Sequence, residues 1–275
     1  MKTSVIIPSY KPGSYLWECL DSLCNQSLNI NDYEIIVVLN GCNHPYADQI
    51  SKYISTHQTH HILLHQTDIP GVSNARNIGI NESNGEYIVF VDDDDLVSPT
   101  YLESLLKIST RQCVGCTSMK AFYNHKDENI ETFLSEAYER CKMQPFNFYK
   151  FRQFLSPPVA KMMHRDIISD TRFPVDMKKS EDSFFCLIIS PRIKDMKLAS
   201  TDAIYYQRLR DGSAMRKKES YGSIIREHLY IEYKYLSLWL KNPFRYNLKF
   251  FLSRVVACCR NCFHYIKNQK EINNQ

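Results

Sequence analysis

The sequence predicts an α/β domain built on an open, mostly parallel sheet, and three features predict it. Apolar runs without polar alternation recur at Glu34–Leu39 and Glu86–Val91, the mark of strands covered on both faces. Segments of helical periodicity lie between the runs. The strand candidates end at Pro8, at Asn40-Gly41 and at an acidic run, so strand and helix signals alternate as they do in parallel sheets.

The elements follow in order. Ser4–Ile7 is a short β-branched strand closed by Pro8. Leu16, Leu20, Leu23 and Cys24 recur at helical spacing. Glu34–Leu39 is the second strand, and His61–His65 is expected as a third. Asn74–Asn84 reads as a short helix and turn, and Glu86–Val91 as the next strand. Ser98-Pro99 looks like an N-cap with proline at the first helical position, opening a helix through Lys107. A strand is expected at Val114–Tyr123. An aromatic stretch follows at Phe146–Phe154, then a break at Ser156-Pro157-Pro158, a helix from about Glu181 and a last strand at Ile204–Tyr206. From Tyr221 the pattern is helical and aromatic, broken at Asn242-Pro243.

The 275 residues are 44% hydrophobic, enough for a large buried core, and the 8 glycines exclude collagen-like and low-complexity chains. No stretch approaches the roughly 20 apolar residues of a membrane span, and no secretory signal is visible. The ten scattered cysteines then read as reduced cytosolic thiols. Cys113 and Cys116 form a lone C-x-x-C without two further zinc ligands at similar spacing; the expectation is a strand with one inward and one outward thiol. Residues 208–275 hold 14 Lys/Arg against 5 Asp/Glu, whereas the whole chain is +4, so the first 207 residues are net negative. An acidic body with a basic tail suggests that the tail meets an anionic partner.

In open parallel sheets ligands bind beyond the carboxyl ends of the strands. Pro8–Tyr10, Leu39–Gly41, the loop around Asp68 and Asp92–Asp95 all fall on that rim. Four consecutive acids repel one another, and a bound cation relieves that repulsion. Carboxylate oxygens suit Mg²⁺ or Mn²⁺, which keep open positions for waters and substrate phosphates. An EF-hand would need a central glycine and a distal glutamate, which this run lacks. Pro70–Gly79 opens a helix with small residues and offers Arg76, a fitting anion site.

Together these motifs resemble the family-2 glycosyltransferases. The resemblance runs through Val5–Tyr10, Glu34–Val38, Gly71–Gly79, Gly85–Asp95 and Glu181-Asp182, in the family's order over the first two thirds of the chain. It implies a GT-A fold, a nucleotide-sugar donor (a UDP-sugar is expected) and direct displacement with inversion. Carried over, Pro8, Tyr10, Asn40, Arg76, Asp92 and Asp93 contact the nucleotide, with Arg76 near the base or diphosphate. Asp92 and Asp94 form the DXD motif. Asp92 leans to the ribose and Asp94 holds the divalent ion, with Asp92 as second ligand and Asp95 as support. Asp182, with Glu181 beside it, is the general base for the acceptor hydroxyl, although two acids starting a helix also suit its dipole. Arg208 or Arg210, in the Tyr205–Ser213 stretch, would neutralise the leaving diphosphate. The family usually places two acids and a glycine after the second strand. Asn40-Gly41 stands there instead, which leaves the nucleotide's identity open.

The expected reaction is hexosyl or N-acetylhexosaminyl transfer to a saccharide or lipid-linked saccharide hydroxyl, in surface polysaccharide synthesis. The alternative is a metal-dependent nucleotidyltransferase acting on sugar phosphates, though Pro8–Gly13 is poor in glycine for that class. A nucleic-acid partner is not expected, because the rim is acidic. The expected division is a nucleotide-sugar part at 1–115, an acceptor and catalytic-base part at 116–215, and a basic helical tail at 216–275. In the tail, Leu248, Phe251, Leu252, Val255, Val256, Cys259 and Phe263 alternate with Arg245, Lys249, Arg254, Arg260 and Lys267. That pattern fits either a helix in an anionic membrane interface or one packed on the body. The expected location is the cytoplasm, with the tail able to hold the protein at the inner membrane face.

Overall fold

The computed structural model describes residues 1–210 and 220–273. Strand and helix alternate through the first part: β1 (Thr3–Ser9), α1 (Tyr15–Cys24), β2 (Tyr33–Asn40), α2 (Tyr46–Thr56), β3 (Ile62–Thr67), α3 (Val72–Glu82) and β4 (Tyr87–Phe90). Then come β5 (Leu96–Val97), α4 (Tyr101–Ile108), β6 (Cys113–Cys116), β7 (Ser118–Phe122), β8 (Ile130–Glu131) and α5 (Phe133–Cys141). They are followed by β9 (Lys161–His164), α6 (Arg165–Ile168), α7 (Glu181–Ile189), β10 (Asp195–Leu198) and β11 (Ile204–Arg208). Two long helices, α8 (Tyr221–Lys241) and α9 (Leu248–Asn273), close the chain.

The main sheet has strand order β10-β6-β9-β4-β1-β2-β3. β1 runs parallel to β2 and β4, with Val5 opposite both Ile35 and Val89. Only β9 runs against its neighbours. Val5, Ile6, Ile7 and Ile35–Leu39 are buried on both faces, as the unalternating runs predict. Helix α3 lies unusually close to β1: a Cβ on Gly79 would stand 2.3 Å from Ile6 Cγ2. Glycine there brings the helix bearing Arg76 down onto the sheet.

Several expectations change. The strand expected at Val114–Tyr123 breaks at Thr117, whose N–H donates to Ala160 O at 3.0 Å. β6 stays in the main sheet, while β7 joins a second sheet, β5-β11-β7-β8. Cys113 and Cys116 are both buried, because β6 is an inner strand covered on each side. Ser98 does not cap α4, which starts at Tyr101. Its hydroxyl accepts the Ile204 N–H at 2.9 Å and so ties the second sheet together. The boundary at 115/116 is not a folding boundary, since β9 and β10 complete the main sheet and one apolar core runs from Val5 to Cys258.

The tail divides by face. Phe250, Phe251 and Cys258 of α9, and Ile224, Ile231 and Tyr235 of α8, are buried against the body and each other. Leu252, Val256 and Phe263 stay exposed, as do Leu229, Leu236 and Leu240 of α8. Arg254, expected among the outer basic residues, is buried instead. Among the described residues no helix is long and apolar enough to cross a membrane.

Candidate active site

The acidic run leaves β4 at the carboxyl end of the sheet and turns at once, with the Asp95 N–H donating to Asp92 O at 3.1 Å. The turn sends the four carboxylates in four directions. Asp92 Oδ1 meets Arg76 Nη2 at 3.0 Å. Asp93 Oδ2 accepts from Ser9 Oγ at 2.7 Å. Asp94 Oδ2 lies 2.5 Å from Arg210 Nη2. Asp95 is buried, accepting from Tyr205 Oη at 2.6 Å and from the Arg208 N–H at 2.8 Å.

Their ionisation follows from those surroundings. Burial, reinforced by Asp94 and Asp92, pushes Asp93 up to about 6, against the Ser9 hydrogen bond. Burial raises Asp94 too, while Arg210 pulls it back. Asp95 is held well above the ordinary range by burial and then by Asp94 and Asp92. Such crowding is a standing repulsion that a cation relieves. The donors are oxygens, and among the described residues no three His, Cys, Asp or Glu side chains converge as a ready cage. One or two carboxylates plus substrate oxygens is how Mg²⁺ is usually held, so the residues fit the implied ion.

Arg76 is the joint of the site. Its side chain is 3% exposed and lies over the Phe173 ring. Nη1 meets Asp182 Oδ1 at 2.6 Å while Nη2 holds Asp92. The next residue fixes the support: Asn77 Nδ2 donates to Phe173 O at 2.9 Å and Oδ1 accepts from the Phe173 N–H at 2.7 Å. Phe173 in turn stacks on Phe185 of α7 at 3.9 Å between ring centroids. Thus α3 carries Arg76, α7 carries Asp182, and one aromatic pair sets their spacing.

Two cavities flank this joint. One of about 640 Å³ is lined by Pro8, Tyr10, Asn40, Gly71, Arg76 and Asp92–Asp95, with Arg208 and Arg210. A larger one, of about 1950 Å³, has Glu181 and Asp182 on its wall and is closed by α8 and α9. Burial raises Asp182, and Arg76 opposes the rise; its second oxygen has no hydrogen-bond partner among the described residues. Burial and then the neighbouring Asp182 push Glu181 up to about 7.

Three expected residues sit differently from the sequence reading. Arg76, expected near the base or diphosphate, lines the smaller cavity and engages two carboxylates. Asn40 is buried, with Nδ2 donating to Ser9 O at 2.7 Å and Oδ1 accepting from the Gly71 N–H at 2.9 Å, so its amide joins two rim loops. Arg208 turns inward: Nη2 pairs with Glu18 at 2.7 Å, Nε donates to Asp94 O, and the guanidinium lies against Tyr15 and Phe122. It braces the acidic turn, whereas Arg210 is half-exposed and faces Asp94. Asp211–Ser213 of that stretch lie outside the described residues. Ser9, Glu18 and Tyr205 complete the site without a role assigned from the sequence: Ser9 lies in the rim segment Pro8–Tyr10 and Tyr205 on the last strand before an arginine, whereas Glu18 has no local signal.

A seven-stranded, mainly parallel sheet with an acidic turn at its carboxyl rim and a second acid delivered by a later helix is the GT-A architecture. The Glycosyl transferase family 2 model matches residues 4–171, and the chain belongs to that family. Membership selects glycosyl transfer over the nucleotidyltransferase alternative. The poly(ribitol-phosphate) beta-glucosyltransferase of Bacillus spizizenii is 26% identical over 226 residues, covering 78% of this chain and 33% of that protein. The glycosyltransferase YibD of Escherichia coli is 38% identical over 141 residues, covering 51% of this chain and 40% of that one. The match therefore covers well under half the length of both. Among solved structures, Staphylococcus aureus TarS 1-349 in complex with UDP-GlcNAc superposes with a TM-score of 0.66 at 22% identity, covering 86% of this chain and 67% of that one. The mannosyltransferase PcManGT of Pyrobaculum calidifontis, in complex with GDP-Man and Mn²⁺, gives 0.62 at 14% identity over 98% of this chain and 72% of that one. At those identities the likeness is one of fold.

Proposed function

We propose that the protein transfers a hexose or N-acetylhexosamine from a UDP-sugar to a hydroxyl of a saccharide or lipid-linked saccharide, with inversion. The observation that carries this reading is the double ion pair of Arg76. It holds the acid of the late helix α7 within one guanidinium of the acid run at the sheet rim.

In this reading the smaller cavity takes the nucleotide, with Tyr10, which is exposed there, and Pro8 against the base. Asp94, with Asp92, would hold a divalent ion, which when bound supplies Lewis-acid stabilisation to the departing diphosphate. Arg210 adds this chain's own positive charge on the same side. The acceptor enters the larger cavity. The unpartnered oxygen of Asp182 takes the hydroxyl proton as the acceptor oxygen bonds the anomeric carbon. The bond from that carbon to the phosphate oxygen breaks, and UDP leaves with the electron pair. Arg76 keeps Asp182 ionised and aimed. Glu181, beside Asp182 on the same wall but outside the Arg76 joint, is the second candidate. Residues 1–115 then supply most of the donor side, joined there by Arg208 and Arg210, and 116–215 the catalytic acid of the acceptor side, within one core.

The exposed apolar residues of α8 and α9 lie beside Lys241, Arg245, Lys249 and Arg260. We propose that this face rests on an anionic membrane surface, each nearby basic residue contributing about 1 kcal/mol.

Calorimetric titration with UDP and Mn²⁺ tests the donor assignment. Binding that disappears on omitting the metal supports it, and equal affinity in Asp94→Asn and wild type refutes it.

A further inference from the structure

The larger cavity contains a buried cation that pairs with no carboxylate among the described residues. Arg254 of α9 is 6% exposed, and its guanidinium lines the cavity. Nη1 donates to Ser156 Oγ at 2.7 Å and the guanidinium lies over the Phe250 ring, but Nε has no hydrogen-bond partner among the described residues. Arg152, from the short turn Arg152–Leu155, lines the same cavity, stacked on Tyr149 with Nη1 donating to Tyr149 O at 2.7 Å. Among the described residues neither guanidinium has a carboxylate partner. Of the acids on the same wall, Asp176 pairs with Lys234 at 2.7 Å, Glu227 with Lys179 at 2.9 Å and Asp182 with Arg76 at 2.6 Å, and Glu181, raised by burial, is paired with neither guanidinium.

A buried charge left unpaired is costly, and a second cation on the same wall adds to the cost. Burial, and the proximity of Arg152, depress the Arg254 guanidinium, with Tyr235 and Cys186 opposing them. An anion between the two forks would satisfy both, and the planar fork matches phosphate oxygens. The place is connected to the chemistry. Tyr235, packed near Arg254, has its Oη 2.9 Å from Ser183 Oγ, and Ser183 follows Asp182.

We infer that Arg254 and Arg152 form a phosphate-binding subsite in the acceptor cavity, so that the acceptor carries a phosphate ester close to the hydroxyl that is glycosylated. The inference rests on the reading of that cavity as the acceptor side. The phosphate belongs either to a phosphodiester-linked chain or to a lipid-linked sugar; the subsite recognises the group the two share. Arg254 thus has a role that its expected place on a membrane-facing surface does not give it.

The test uses the full chain at physiological salt, with saturating UDP and Mn²⁺ filling the donor cavity. It is titrated with a short oligo(glycerol phosphate), and separately with phosphatidylcholine vesicles carrying a few per cent of a polyprenyl phosphate. Binding of the first alone assigns a phosphodiester chain, and binding of the second alone a lipid-linked acceptor. In either case Arg254→Gln and Arg152→Gln each weaken binding by roughly tenfold or more, as expected for losing a charged hydrogen bond, while UDP affinity is unchanged. Arg254→Lys, which keeps the charge and loses the fork, falls between. If Arg254→Gln fails to fold, the partly buried Arg152 carries the test alone. The inference is overturned if neither probe binds, or if folded glutamine variants bind as wild type does. Phosphate binding that persists while UDP does not bind would overturn the proposed transferase reading and leave the subsite standing.

Discussion

Replacing Arg76 with methionine removes one cation from between two acids. The guanidinium is 3% exposed and contacts Asp182 at 2.6 Å and Asp92 at 3.0 Å. Breaking a buried pair by deleting one partner costs about 3–5 kcal/mol, because it strands the other charge. Here that cost is partly relieved. Asp92 is 38% exposed and can rehydrate, and Asp182, at 28%, can take up a proton. A net loss of about 2–4 kcal/mol follows, or on the order of 5–15 °C in Tm. The deficit is greatest where both carboxyls are ionised and shrinks on acidification, since a protonated acid no longer needs the guanidinium. Arg76 opposes the rise that burial imposes on Asp182, so without the guanidinium the acid limb of the activity profile moves to higher pH in the variant. The assays are thermal unfolding against pH and UDP release against pH. A Tm within about 2 °C of wild type at pH 8, together with an unmoved acid limb, would refute the role of Arg76 as the joint between the two acids.

Three further outcomes follow. Burial raises Glu181 from 4.5 to about 7, so the folded state binds the extra proton. Its stabilisation is present at low pH and is lost as pH rises from about 4.5 through about 7. Glu181→Gln is then about 1–3 kcal/mol more stable than wild type at pH 8, and little different at pH 4, in urea titrations. Asp94→Asn, like excess EDTA on wild type, abolishes transfer while circular dichroism and Tm stay close to native; a fully active variant contradicts the metal assignment. The full chain sediments at low salt with vesicles containing anionic lipid, and a chain ending at Asn242 sediments less. Both forms remaining in the supernatant sinks the membrane reading.

What the sequence discloses is whatever acts through periodicity or adjacency. The unalternating runs place β2 and β4 inside the sheet, and the acid run at a strand end places the rim site, because both signals are local. Glu181-Asp182 is legible as a pair and as a helix start. Partners that arise from distant folding are hidden. Nothing near Arg208 in the chain announces Glu18, the residue that turns it inward, and nothing near Asn40 announces the Gly71 N–H. The break at Thr117 is invisible because the residues on both sides of it suit a strand; the split depends on Ala160 accepting the Thr117 N–H. Arg254 sits in an amphipathic pattern that reads as outward-facing, and only the packing of α9 over the Ser156 turn buries it. Gly79 belongs to the motif segment by sequence, but its reason, the contact with Ile6, is tertiary.

The most direct test of the account is UDP release from a panel of UDP-sugars with Mn²⁺ and a saccharide acceptor, comparing wild type with Asp182→Asn. The account predicts acceptor-dependent release by wild type. In the variant it falls by the roughly 10²–10⁴-fold typical of losing a general base, with UDP affinity unchanged. Transfer by Asp182→Asn at the wild-type rate, or loss of its UDP binding to the same degree as its activity, would contradict the assignment of Asp182 and the acceptor cavity built around it.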